Sequence, residues 1–332
     1  MKRLWNPVLV LYLLSPMCGE LLSGSQPPLE FFRPLNLIFI TAFYGSGALL
    51  VRELTRRWGK GWPTLLTLGA AYGIVEEGLA AKSFFDPAWM DLGALGSYGR
   101  WLGVNWVWAV LLTIFHAVFS ISIPILLTEL AFPSRRKEPW LGRRGLSFFA
   151  LLFTGMVVLL YLGITPYRVP VPHVLLTLVA LIALVWWARR CPSAPSIRPA
   201  GGAGSPRRLA LLGFGATLAL FTLGWVMPNT RLPAALTFVA MLGLGAGMYR
   251  TIARAALAED WTERHLLALA AGGLSFFLLL QPLLELDRAA LEDRSGSSLM
   301  ALLGAGLLWS LARSLRRRSE APNGPISVAA SS

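Results

Sequence analysis

Charge is scarce in this chain. Only 14% of its 332 residues are Asp, Glu, Lys or Arg while 55% are hydrophobic, against roughly 25% charged in a soluble domain. That balance excludes an ordinary soluble fold and indicates a polytopic membrane protein. Cysteine occurs twice, as Cys18 and Cys191, and histidine three times, with no Cys-x-x-Cys and no Cys/His cluster. A disulfide framework and a thiolate zinc site are therefore both excluded. No internal repeat is evident. The net charge of +13 would suggest a nucleic-acid partner in a soluble protein. Here the basic residues sit in short segments between apolar runs, where they report orientation in the bilayer, so no nucleic-acid partner is expected.

What the chain has instead is a series of apolar runs. They cover residues 1–22, 34–54, 62–81, 102–132, 145–164, 171–188, 208–226, 233–249, 266–284 and 299–312, each long enough to cross a bilayer or nearly so. The expected fold is all-α, a transmembrane helix bundle of about ten spans. Residues 1–22 also have the basic start and short apolar stretch of a signal peptide, though without a small-x-small cleavage site, so this segment is either a first span or a cleaved signal. Of the 30 Lys and Arg residues, 23 fall in segments 2–3, 52–60, 135–144, 189–208, 250–264 and 313–318, and seven in the intervening ones. Basic loops stay inside. Both termini are thus expected in the cytoplasm of a multi-pass protein of the cell membrane, with Cys18 and Cys191 on opposite sides.

Residues 191–206, rich in Pro, Gly and Ser, predict a flexible cytoplasmic linker. It separates a six-span region, 1–190, from a four-span region, 207–312, and residues 313–332 predict a disordered basic tail. The two regions differ in kind. Polar groups inside spans concentrate in the first, at Glu20, Asn36, Glu76, Glu77, Asn105 and His116.

The pair Glu76 and Glu77 lies in an apolar run, where an acid is by default a functional residue because burying it costs a few kcal/mol at least. Gly69, Gly73, Glu76 and Ala80 share one helical stripe of small residues, which directs Glu76 toward a neighbouring helix. On the next run Asn105, Ala109, Thr113, His116 and Ser120 share a face that must turn toward protein or water. Counted from the flanking tryptophans, the acids and the imidazole reach similar depths in the outer leaflet. Such a set can bind Zn²⁺, with His116 and Glu77 as ligands and a position left for water. Without metal, a Glu can act as general base while a second Glu or His holds the water. Glu20 is a further acid within reach, and Lys82, five or six residues along the helix, is expected to snorkel to the outer interface. Rival readings are a structural network of Glu77, Lys82 and His116, a transporter using the same acids as proton or cation relays, and a scaffold or lipid-handling factor with Asp86, Arg100 and Asn105 at a headgroup. Glu53 and Glu129 predict helix-end charges, and His173 and His265 interfacial residues.

A double Glu in a membrane helix, a basic residue a few positions on, and a His on the next helix with a polar residue four further along resemble the CPBP group of intramembrane proteases, which includes the CAAX prenyl proteases. The related PrsW-type site-one proteases are similar. The first motif maps to Glu76, Glu77 and Lys82, and the second to His116 and Ser120, within residues 62–130. Lys82 stands one or two positions late, and Leu112 stands where the family has Phe or His. The resemblance implies that Glu76 or Glu77 activates water, that His116 binds metal or stabilises an oxyanion, and that the substrate is a membrane protein or peptide.

Overall fold

The computed structural model describes residues 6–90, 92–192, 202–287 and 292–320. It is a helical bundle. Eight helices are long and apolar enough to cross a bilayer: α2 (Pro34–Arg57), α4 (Trp106–Ala131), α5 (Arg143–Gly163), α6 (Val171–Arg190), α7 (Pro206–Asn229), α8 (Ala234–Ala255), α9 (Glu263–Leu286) and α10 (Ser297–Glu320). Two more complete the series. α1 (Pro7–Leu21) is shorter, and α3 runs as Trp62–Val75 and continues in π form as Glu76–Ala80. The ten apolar runs each correspond to a helix, but among the described residues those eight alone meet the demands of length and apolarity.

Local chemistry sets where the helices begin. Proline occupies the first turn of α1, α2, α3, α6 and α7, where its missing N–H costs nothing. Asn6, Asn105 and Ser205 accept hydrogen bonds from the backbone N–H of Val8, Trp108 and Arg208 at the starts of α1, α4 and α7, satisfying donors that a helix start leaves free. Thr262 and His265 form a capping box at the start of α9.

Helix α4 is the axis of the bundle. Over its span 72% of residues are buried, against 6% for α5 and 11% for α6 and α8, and it touches α1, α2, α3, α7, α8, α9 and α10. α5 and α6 lie outside, on α2 and α3 respectively. One apolar core joins residues on both sides of the 191–206 segment: Phe115 and Phe119 of α4 meet Phe221 and Phe277 of α7 and α9 edge to face or tilted at 4.9–6.2 Å. The Gln281 amide on α9 also donates to the Leu21 and Leu22 carbonyls at the end of α1.

Three features depart from the expectations. Between α3 and α4 a short antiparallel strand pair, Arg100–Trp101 with Val104–Asn105, interrupts the all-helical pattern; its turn places Leu102 and Gly103 at positive φ. The last helix continues to Glu320, so the basic residues 313–318 are helical where a disordered tail was expected, because a helix that has left the apolar layer can still be propagated by Arg and Leu. Residues 321–332, and 193–201 of the expected linker, lie outside the described residues. Thirdly, Glu53, which pairs with Arg57 one turn on, and Glu129 are more than helix-end charges. Both are fully buried in a network with Arg52, Arg56, Arg57 and Arg136. The Arg52 guanidinium lies 3.2 Å from the Trp140 ring centre and donates to the carbonyls of Arg135, Arg136 and Glu138.

Candidate active site

Five helices change from α to π form, and four of these segments carry the polar residues: Met17–Leu21 with Glu20, Thr41–Gly45 with Tyr44, Glu76–Ala80, and His116–Ser122 with Ser120, the fifth being Thr222–Val226 in α7. Such π segments are rare and concentrate at functional sites. Here the wider turn has a direct use. In an α-helix Glu76 and Glu77 would point about 100° apart, and the π turn lets both reach one imidazole.

Small residues bring the helices close enough for that contact. A Cβ on Gly73 would lie 3.0 Å from His116 Cβ, and one on Gly69 3.1 Å from the Ala117 backbone. Across the resulting seam, His116 Nε2 is 2.8 Å from Glu77 Oε1, and Nδ1 is 3.0 Å from both Glu76 Oε2 and Ser120 Oγ. All four side chains are buried. The second oxygen of Glu77 accepts a short hydrogen bond from the Ser83 hydroxyl, which itself accepts from Trp108 Nε1 at 2.9 Å. Glu77 is thereby fixed at both oxygens. Glu76 is held less completely: its Oε2 lies 3.0 Å from His116 Nδ1 and interacts with the buried Tyr72 hydroxyl, and neither contact has full hydrogen-bond geometry. A water or an ion entering there would complete both groups.

Glu20 joins through a tyrosine. The Tyr44 hydroxyl donates a short hydrogen bond to Glu20 Oε1, and the Tyr44 and Tyr72 rings each lie 6.2 Å from that of His116. Gly19 lets Tyr44 and Ser120 approach α1, since a Cβ there would sit 2.7 and 2.8 Å from them.

Two of the expected supporting residues stand elsewhere. Asn105 caps α4 and donates to the Leu95 carbonyl, so its polarity is consumed by the loop. Lys82 does not snorkel to the interface. It is fully buried, and at φ 66° its ammonium donates to the carbonyls of Tyr161, Thr165 and Tyr167 at 2.9–3.2 Å. The end of α5 leaves carbonyls without partners and a partial negative charge, and Lys82 meets both needs. Burial, aided by Arg168 and opposed by Asp86, holds this ammonium below the ordinary lysine pKa. His173 braces the strand pair through the Leu102 carbonyl at 2.8 Å, and His265 is committed to its capping box. Cys18 and Cys191 are both free.

Sequence reasoning did not single out Tyr44, Tyr72, Ser83 or Trp108. Tyr72 could have been found, since it precedes Glu76 by one helical turn. Tyr44 and Ser83 depend on tertiary placement.

In donor chemistry the site suits a divalent metal. Glu76, Glu77 and His116 each offer a ligand atom, and these lie within 4.8 Å of one another. One nitrogen and two carboxylate oxygens could in principle chelate a metal ion. Because the imidazole now bridges the two acids, a metal would take the place of at least one of its contacts.

An uncharacterized protein from Archaeoglobus fulgidus is 26% identical over 152 residues, which cover 43% of this chain and 46% of that protein; the chain thus spans about half the length of the curated relative it matches. No solved structure matches the chain. Residues 9–312 match a membrane-protein family as a whole, and the chain, with its buried Glu-Glu-His cluster, belongs to that uncharacterized membrane protein family.

Proposed function

We propose that the cluster is a hydrolytic site and that the protein is an intramembrane protease resembling the CPBP and PrsW-type enzymes. The observation that carries this reading is the asymmetry of the two acids. Glu77 is held by Ser83 and His116, whereas Glu76 Oε2 pairs with His116 Nδ1 at 3.0 Å and meets the Tyr72 hydroxyl short of full hydrogen-bond geometry. A water admitted between Glu76 and Tyr72 would complete both groups. Glu76 acts as general base toward it, Glu77 fixes the imidazole through Nε2, and the Tyr72 hydroxyl or His116 Nδ1 donates to the oxyanion that forms when the water attacks a peptide carbonyl. If Zn²⁺ is held there, by His116 with Glu77 or Glu76, it supplies polarisation of the water and the carbonyl.

The experiment is cleavage of co-expressed single-span membrane proteins by the purified protein, with bound metal assayed in parallel. Glu76→Gln and His116→Ala are expected to lower cleavage at least a hundredfold while the protein stays folded. Cleavage at wild-type rate by both variants overturns the reading.

A second reading rests on the Tyr44 to Glu20 hydrogen bond, which extends the acids from α3 to α1. Acids on two helices joined through tyrosines and an imidazole form a proton or cation relay of the kind transporters use. Proteoliposomes separate the two: a relay gives proton flux that Glu20→Gln stops, and a protease gives none.

A further inference from the structure

A partly open cavity of about 640 Å³ lies between α3, α4, α7, α8 and α9, and Glu76, Glu77 and His116 are not among the residues that line it. Its walls are apolar: Leu66 of α3, Val118 of α4, Ala216 of α7, Gly245 and Met248 of α8, and Leu269 of α9. α8, with 11% of its span buried, forms one wall. Trp62, Tyr249 and Trp261 also line it, and all three belong to the face of the protein where Arg136 pairs with Glu263 and Arg56 with Glu129. Aromatic residues of this kind mark the edge of the apolar layer.

The space is partly open, and its apolar walls do not hold water. In a bilayer a flexible hydrocarbon chain fills it, and the volume lies within the ordinary ligand-pocket range of about 300–1,000 Å³. The charge at the aromatic end chooses the headgroup. Arg250 and Arg254 follow the lining residues Tyr249 and Ala253 on α8, are exposed, and form no ion pair among the described residues.

We infer that this cavity is a binding site for an anionic phospholipid, one acyl chain lying between α8 and the α3, α4, α7 and α9 wall and the phosphate meeting Arg250 and Arg254. The site is independent of the hydrolytic reading. It makes the bundle a receptor for a membrane lipid whose chain supports α4, the helix that carries His116.

The test uses the full chain extracted with its native lipids. After delipidation in mild detergent, native mass spectrometry is expected to retain about one phosphatidylglycerol per protein and at least tenfold less phosphatidylcholine when both are offered equally. In the double variant Gly245→Leu/Ala216→Leu retention falls at least tenfold. Gly245 admits a Cβ at 3.5 Å from Ile114 Cδ1, an ordinary contact, so filling the cavity does not begin with a clash. Arg250→Gln/Arg254→Gln abolishes the preference for the anionic lipid. Wild-type protein is also photolabelled with phosphatidylglycerol carrying a diazirine on its acyl chain, which needs no variant to fold. Adducts concentrated in residues 62–70, 113–126 and 244–257 support the site. Adducts spread evenly over the exposed faces of α5 and α6, retention unchanged by the filled cavity, or equal binding of the two lipids overturn it.

Discussion

A single imidazole between two carboxylates gives each residue of the site a separable role. Glu77→Gln keeps the shape and can still accept from Ser83, so folding stability should change by less than about 1 kcal/mol, while cleavage falls at least a hundredfold because the amide cannot hold His116 as a carboxylate does. Thermal unfolding measured beside activity checks both halves. If the network were only a brace, the order would be inverted, with stability falling first and activity only following the loss of folded protein. Gly19→Ala tests the packing of the same site, since its Cβ would meet Tyr44 at 2.7 Å and Ser120 Oγ at 2.8 Å. Overpacking of this kind costs about 1–3 kcal/mol, and the displaced Tyr44 should lower activity further than the stability loss explains. Arg52 stands at the opposite extreme. It is fully buried with Glu53 and Glu129 as partners, so Arg52→Met, by leaving buried acids short of a cation, should destabilise the protein by about 3–5 kcal/mol, read as a lowered unfolding midpoint with any residual activity per folded molecule unchanged.

At the scale of the helix, the π segments turn ordinary spans into a site. Deleting Leu79 would remove the additional residue of the Glu76–Ala80 segment and let α3 continue in α form. One residue of offset is about 100° of rotation, which separates Ser83 from Glu77. Helix content by circular dichroism should stay within a few per cent, and activity or metal binding at Glu76, Glu77 and His116 should be lost. A deletion variant that still works would mean the π form is incidental. This is also where sequence reading reached its limit. The runs, the doubled acid, the Gly69 and Gly73 stripe and His116 were legible, because cost in lipid and helical periodicity both act locally. The π turns were not, since nothing in the order Glu-Glu-Gly-Leu-Ala marks a wider turn. Lys82 was misplaced for a related reason: its partners, the carbonyls at the end of α5, stand 79–85 residues away. The burial of Glu53 and Glu129 was not legible because a helix end in sequence looks the same whether a basic loop folds over it or not.

For the molecule as a whole, the division of basic residues predicts an orientation with both termini in the cytoplasm. With native Cys18 and Cys191 buried, a cysteine placed at Ser97 should react with an impermeant maleimide added outside cells and one placed at Lys137 should not. The opposite pattern would turn the bundle over and put the cluster in the inner leaflet. The halves on either side of residues 191–206 share one core, so cutting the chain there should leave two fragments that remain bound through α4, α7 and α9.

The bond from Gln281 to the Leu21 carbonyl spans 260 positions of the chain, and that distance is also a delay. The ribosome adds roughly 5–20 residues per second, so the end of α1, which carries Glu20, waits some 13–50 s for the side chain that completes it. During that interval two carbonyls inside the membrane lack their final donor. A chain halted before α9 emerges should therefore already hold Glu76, Glu77 and His116 on paired helices and Glu20 through Tyr44, while the end of α1 still lacks its last donor. Gln281→Leu should slow the appearance of protease-resistant protein after synthesis more than it lowers final stability, which a pulse-chase measurement would show.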